Sequence, residues 1–226
     1  CYPLKEIGYD YMAKYLFEFC YGLYCINSKL GIIHGDFHLN NCTIGALYYN
    51  KPEIMANKNK QYKIVYNISN TTYVFPNNGY FGNIIDFSRC IINPEYYDKI
   101  SPKDATMLRT EQEMNTLLNL YIQLFPNKKK QKDELVVLFK KHFNAVFKLL
   151  TCIDLFMFST RLLNLLSQMN YKINKKVINL IEKLHKQSEY YITAEMNNLI
   201  MDPVKYSTFI EKEDFLVYFS LLKHYK

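Results

Sequence analysis

His34-Gly35-Asp36-Phe37-His38-Leu39-Asn40-Asn41, with Ile85-Asp86-Phe87-Ser88 downstream, carries the strongest chemical signal in this sequence. Asn41 follows Asp36 by five positions, and Asp86 closes the neutral-to-apolar run Asn83-Ile84-Ile85. All three side chains offer hard oxygen donors. One carboxylate can orient an attacking hydroxyl. An amide oxygen and a second carboxylate can hold magnesium against phosphate groups. An acid behind three apolar or neutral residues is costly to bury unpaired, and a metal would give it a partner.

The surroundings of the motif agree with one another. Leu4, Ile7, Tyr11, Tyr15, Phe19, Leu23 and Ile26 recur at three- and four-residue steps, so residues 4–30 are predicted helical. Gly31 follows as a helix-ending residue should. Ile32-Ile33 leads into the loop and Cys42-Thr43-Ile44 leaves it as a short strand. Residues 62–66 and 71–75 are β-branched and aromatic, with polar residues 67–70 between them, which predicts a hairpin. Asn77-Asn78-Gly79 reads as a turn, and the polar segment 50–60 as a loop. The expected order is helix, loop, strand, hairpin, Asp86, with the hairpin extending a small sheet beside the motif.

On these residues the chain resembles the C-terminal lobe of a protein-kinase-like phosphotransferase of an atypical kind. It is similar in style to the divergent Ser/Thr protein kinases of poxviruses and other large DNA viruses. The family patterns H-R-D-x-x-x-x-N and D-F-G appear here as H-G-D-F-H-L-N-N and D-F-S. The resemblance implies Asp36 as catalytic base, and Asn41 and Asp86 as ligands of Mg2+ and contacts of ATP. Asp154-Leu155-Phe156-Met157-Phe158 is similar to the start of the buried central helix of the kinase large lobe, whose Asp braces the catalytic loop. The implied fold is mainly α with a small β element. Residues 1–226 would form one catalytic lobe with insertions at about 45–82 and 95–150. The small ATP-binding lobe is expected upstream, because no Gly-rich cradle or strand lysine is visible.

Departures from the family pattern keep rival readings open. His38 stands where Ser/Thr kinases usually carry lysine, and a histidine there is similar to choline and aminoglycoside phosphotransferases. It is a candidate catalytic residue bonding a transferred phosphate, or a surface histidine. Gly35 replaces the arginine that usually pairs with a phosphorylated activation segment, so control by that route is expected to be absent. Ser88 replaces glycine, and no A-P-E follows. A small-molecule kinase and a pseudokinase or binding scaffold are therefore the alternatives to a protein kinase acting on a protein substrate. His34 is expected to pack and hydrogen-bond near the loop.

The remainder reads as helices. Ser101-Pro102-Lys103-Asp104 starts one, with Leu108, Met114, Leu117, Leu118, Tyr121 and Ile122 on its apolar face, and Pro126 ends it. Further helices are expected at 133–151, 152–169, 174–200 and 211–224, with Asp202-Pro203 between the last two. The 226 residues are 49% hydrophobic, enough for a core, with no uncharged run expected to span a membrane. Six cysteines without metal spacing read as reduced thiols of an intracellular, cytoplasmic protein, in a host cytoplasm or virion if viral. The net charge of +7 sits largely in lysine runs read as solvated helix ends; nucleic-acid binding would rest on charge alone and is not expected.

Overall fold

A computed structural model describes residues 9–46, 63–68, 71–93, 103–168 and 175–212. The chain opens with helix α1 (Tyr9–Leu30); residues 4–8 of the expected helix lie outside the described residues. Two apolar faces run along α1. Tyr15, Leu16, Phe19, Cys20 and Leu23 join the main core, while Phe17 points to a second, smaller cluster. Gly31, at φ 60°, ends the helix in the left-handed conformation.

Among the described residues six short strands follow: β1 (Ile32–Ile33), β2 (Cys42–Ala46), β3 (Lys63–Ile68), β4 (Thr71–Pro76), β5 (Tyr80–Ile84) and β6 (Ile91–Ile92). They form three separate antiparallel pairs, β1 with β6, β2 with β5, and β3 with β4. The register pairs Ile33 with Ile91 and Cys42 with Ile84. That register positions the site. The loop between β1 and β2 and the loop between β5 and β6 are clamped at both ends by the same two ladders, so they lie face to face.

The expected hairpin forms, but it does not extend a sheet beside the motif. Strand β3 runs on through Asn67 and Ile68, leaving a shorter connection than residues 67–70. The pair β3–β4 is held instead against α1 by Phe17, which lies 5.0 Å from the Tyr73 ring and 4.7 Å from the Phe75 ring. Side chains anchor this hairpin, not ladder hydrogen bonds. A buried polar network adds to it. Glu18 accepts from the Gly82 amide at 2.9 Å, pairs with Lys14 at 2.8 Å and accepts from the Tyr66 hydroxyl, while Lys14 donates to the Tyr80 carbonyl at 2.7 Å. The expected loop at 50–60 lies outside the described residues.

The rest is helical: α2 (Lys103–Leu124), a 3-10 turn at Pro126–Gln131, α3 (Lys132–Lys141), α4 (Phe143–Leu150), α5 (Cys152–Gln168), α6 (Lys175–Tyr190), α7 (Met196–Met201) and α8 (Pro203–Lys212). Ser101 and Pro102, the expected start of α2, lie outside the described residues. The single helix expected at 133–151 breaks at His142, whose φ of −128° and ψ of 41° leave the helical range. The one expected at 174–200 passes through a π segment, Tyr191–Glu195, before α7. Helix α8 begins at Pro203, with proline in the first turn; residues 213–226, which hold most of the helix expected at 211–224, lie outside the described residues. Met114, Leu117, Tyr121, Leu135 and Phe139 share one core with α1 and α5, so the 95–150 region is integral where it is described.

The fold is thus mainly α with small antiparallel ladders. Phe143–Gln168 is long and apolar enough to cross a membrane by length and composition alone. It comprises α4 and α5, and their Ala145, Val146, Leu149, Ile153, Leu155 and Phe158 are buried in the core.

Candidate functional site

The two facing loops carry Asp36, His38 and Asn41 on one side and Asp86 on the other. Two hydrogen bonds lock them together, and a third within the first loop holds the His34 ring. The Ile85 amide donates to the Asn41 carbonyl at 3.0 Å, and His34 Nε2 donates to the Ile85 carbonyl at 2.9 Å. The Asp36 amide donates to His34 Nδ1 at 3.4 Å, which leaves Nε2 as the donor to Ile85. His34 is fully buried, and its ring packs on Phe37 at 5.5 Å and Phe87 at 4.9 Å. It is a structural hinge pin between the loops, as expected.

Asp154, fully buried at the start of α5, accepts from the His34 amide at 2.7 Å and the Gly35 amide at 2.9 Å. Two convergent amide donors compensate a charge that burial alone would disfavour. Burial still dominates and pushes the Asp154 carboxyl up to about 6, while those bonds and one from Asn27 pull the other way. Phe37, also fully buried, stacks 5.0 Å from Phe158 of the same helix. The loop backbone is thus fixed from beneath, and Asp36 is left partly exposed above it.

Each candidate side chain then has a defined setting. Asn41 is buried and donates through Nδ2 to the Asp36 carbonyl at 2.9 Å, which turns its amide oxygen away from that bond as a hard donor. His38 accepts the Asn40 amide on Nδ1 at 3.2 Å and brings Nε2 to 3.7 Å from Asp36 Oδ1. Asp86 is the one non-glycine residue with positive φ among those described, at φ 62° and ψ 72°. A non-glycine residue in this region is strained, and such strain concentrates at functional sites. Its carboxylate accepts from the Ser88 hydroxyl at 2.6 Å and the Ser88 amide at 3.3 Å, and these bonds hold its pKa below the usual carboxylate value.

Two sequence arguments need correction. Asp86 is exposed, so the cost of burying an unpaired acid is not what calls for a partner there. Ser88 does not merely stiffen a glycine position, since its hydroxyl orients Asp86. The structure also adds a residue that the motifs did not mark. Arg89 brings Nη1 to 3.6 Å from Asp36 Oδ2 while remaining 72% exposed. A cation thus stands beside Asp36 from position 89, although position 35 carries none. The only sequence signal was adjacency of a basic residue to the D-F-S motif.

No group of three or more His, Cys, Asp or Glu side chains forms a metal cage among the described residues. Asn41 and Asp86 lie on the two facing loops, joined by the bond from the Ile85 amide to the Asn41 carbonyl.

Comparison with known proteins finds viral relatives. The chain is 26% identical over 220 residues to "Uncharacterized protein C717R" of African swine fever virus isolate Pig/Kenya/KEN-50/1950, covering 84% of this chain and 30% of that protein. It is 29% identical over 178 residues to the protein of the same name from isolate Tick/Malawi/Lil 20-1/1983, covering 70% of this chain and 24% of that protein. The chain thus spans less than a third of the length of these relatives. No protein-family profile and no solved structure matches it.

Proposed function

We propose that this chain is the catalytic large lobe of an ATP- and magnesium-dependent phosphotransferase that acts on a protein Ser or Thr hydroxyl. The observation that carries the reading is the clamping of Asp36 and Asn41 opposite Asp86, through the paired ladders and the bond from Ile85 to Asn41. Phosphoryl transfer asks little covalent chemistry of a protein; it asks for position and charge. Asp36 orients the acceptor hydroxyl and takes its proton as the new P–O bond forms and the bond to the leaving ADP breaks. Asn41 and Asp86 present oxygens to the metal, which when bound neutralises charge on the phosphates. Arg89 supplies a mobile cation that can leave Asp36 for a phosphate oxygen. The nucleotide-covering elements would come from a small lobe elsewhere in the full-length protein.

A small-molecule acceptor is the second reading, favoured by His38 beside Asp36. Both share one test. In the full-length protein, Asp36→Ala and Asp86→Asn should each reduce transfer of labelled γ-phosphate by about 10²–10⁴-fold. Circular dichroism should remain that of the wild type, because both side chains are at least partly exposed. Undiminished transfer in both variants would overturn the proposal.

A further inference from the structure

An open groove of about 320 Å³ runs from His38, Leu39 and Asn40 along α5, where Arg161, Asn164 and Gln168 form its far wall. One end meets the candidate reaction centre, because His38 forms the wall there and also stands 3.7 Å from Asp36. The helix that braces the loop through Asp154 therefore also lines this groove. Arg161 lies two turns beyond Asp154 on the same stripe, about 10 Å along the axis at 1.5 Å per residue. It is exposed and has no acidic partner among the described residues. Asp154 is the single acid of α5 and is buried, so nothing on that helix offsets the guanidinium.

We infer that this groove seats the acceptor segment, and that Arg161 reads an Asp or Glu side chain on it. The inference rests on the phosphotransfer reading above and names the acceptor class. An extended peptide advances about 3.3 Å per residue. The groove joins Arg161 to His38, which stands beside Asp36, so an acid bound to Arg161 falls a few residues from the hydroxyl held at Asp36. Asn164 and Gln168 can donate to and accept from the peptide backbone beyond it. A guanidinium fits this role because its planar fork pairs with a carboxylate through two hydrogen bonds.

The test uses the full-length protein and labelled peptides with a central Ser and Glu, Ala or Lys scanned over the second to fifth residue on either side, compared at the best-placed position. Binding is read by fluorescence anisotropy and transfer by labelled phosphate. The Glu peptide should bind about fivefold more tightly than the Ala peptide, the upper end for an exposed ion pair, and the margin should shrink with salt. Arg161→Ala should abolish the preference, and Arg161→Glu should turn it toward the Lys peptide. Equal binding of Glu and Ala peptides, or a preference that survives both variants, would overturn the inference. Arg161-dependent binding without Asp36-dependent transfer would uphold the groove and remove the phosphotransfer reading; transfer without discrimination would do the reverse.

Discussion

The carbonyl oxygen of Arg89 lies 2.5 Å from the point where a β-carbon on Gly35 would stand. Gly35 also turns with φ of 76°. Glycine at this position is therefore a packing requirement of the two facing loops.

It follows that Gly35→Arg, which restores the kinase-like H-R-D, should damage this protein. We expect a stability loss of at least about 1–3 kcal/mol from the backbone conformation alone, with the Arg89 turn pushed off Asp36. Arg89→Ala should fold normally, since its side chain is exposed. Urea unfolding of the two variants checks this, and a Gly35→Arg protein as stable as the wild type would refute it.

Asp154 should be a sensitive polar position. Asp154→Ala leaves the His34 and Gly35 amides without their acceptor, a cost of about 2–5 kcal/mol. The pH dependence has a definite sign. Burial raises the carboxyl from 3.8 to about 6, so between those values the folded state binds the proton more tightly than the unfolded state. Acidification from pH 6 toward 4 should therefore stabilise the wild type through this group, and the full desolvation penalty should apply above pH 6. Asp154→Asn lacks the titration. The stability difference between the two, followed by unfolding from pH 7 to 4, should move toward the wild type as pH falls.

The Lys14–Glu18 pair predicts a non-additive response. Both side chains are buried, and desolvation lowers the Lys14 pKa below its usual value despite Glu18. Glu18→Gln strands that ammonium and should cost about 3–5 kcal/mol. Lys14→Met combined with Glu18→Gln should cost less than the sum of the two single changes. An additive double-mutant cycle would show that the pair does not act as a unit.

Tyr121 offers the opposite case. Its hydroxyl is buried with no hydrogen-bond partner among the described residues, and burial pushes it up to about 12. Tyr121→Phe should leave stability unchanged or raise it by about 1 kcal/mol, because no bond is lost and one desolvated group is removed. A clear drop in melting temperature would reveal a partner.

What was legible in the sequence was local. The three- and four-residue steps of α1, the hairpin strands and the Asp36-to-Asn41 spacing all depend on near neighbours. Asp154 could be read as a brace only through its resemblance to a known helix start. The breaks at His142 and at Tyr191–Glu195 left no mark, since apolar periodicity continues through both. The detached hairpin was missed because strand propensity says nothing about which ladder a strand joins. Arg89 was missed because its place beside Asp36 depends on the pairing of Ile33 with Ile91, and that pairing joins positions far apart in the chain.

The bonds from His34 and Gly35 to Asp154 reach across 120 and 119 positions. A ribosome adding about 5–20 residues per second would make the loop several seconds to tens of seconds before it makes the residue that fixes it. During that interval the loop amides have only water to bond. Helix α1 and the hairpin, whose contacts are closer in sequence, can settle first. The candidate site should thus be among the last parts of the chain to become ordered during synthesis, and a nascent chain halted before α5 should be folded in part and catalytically silent.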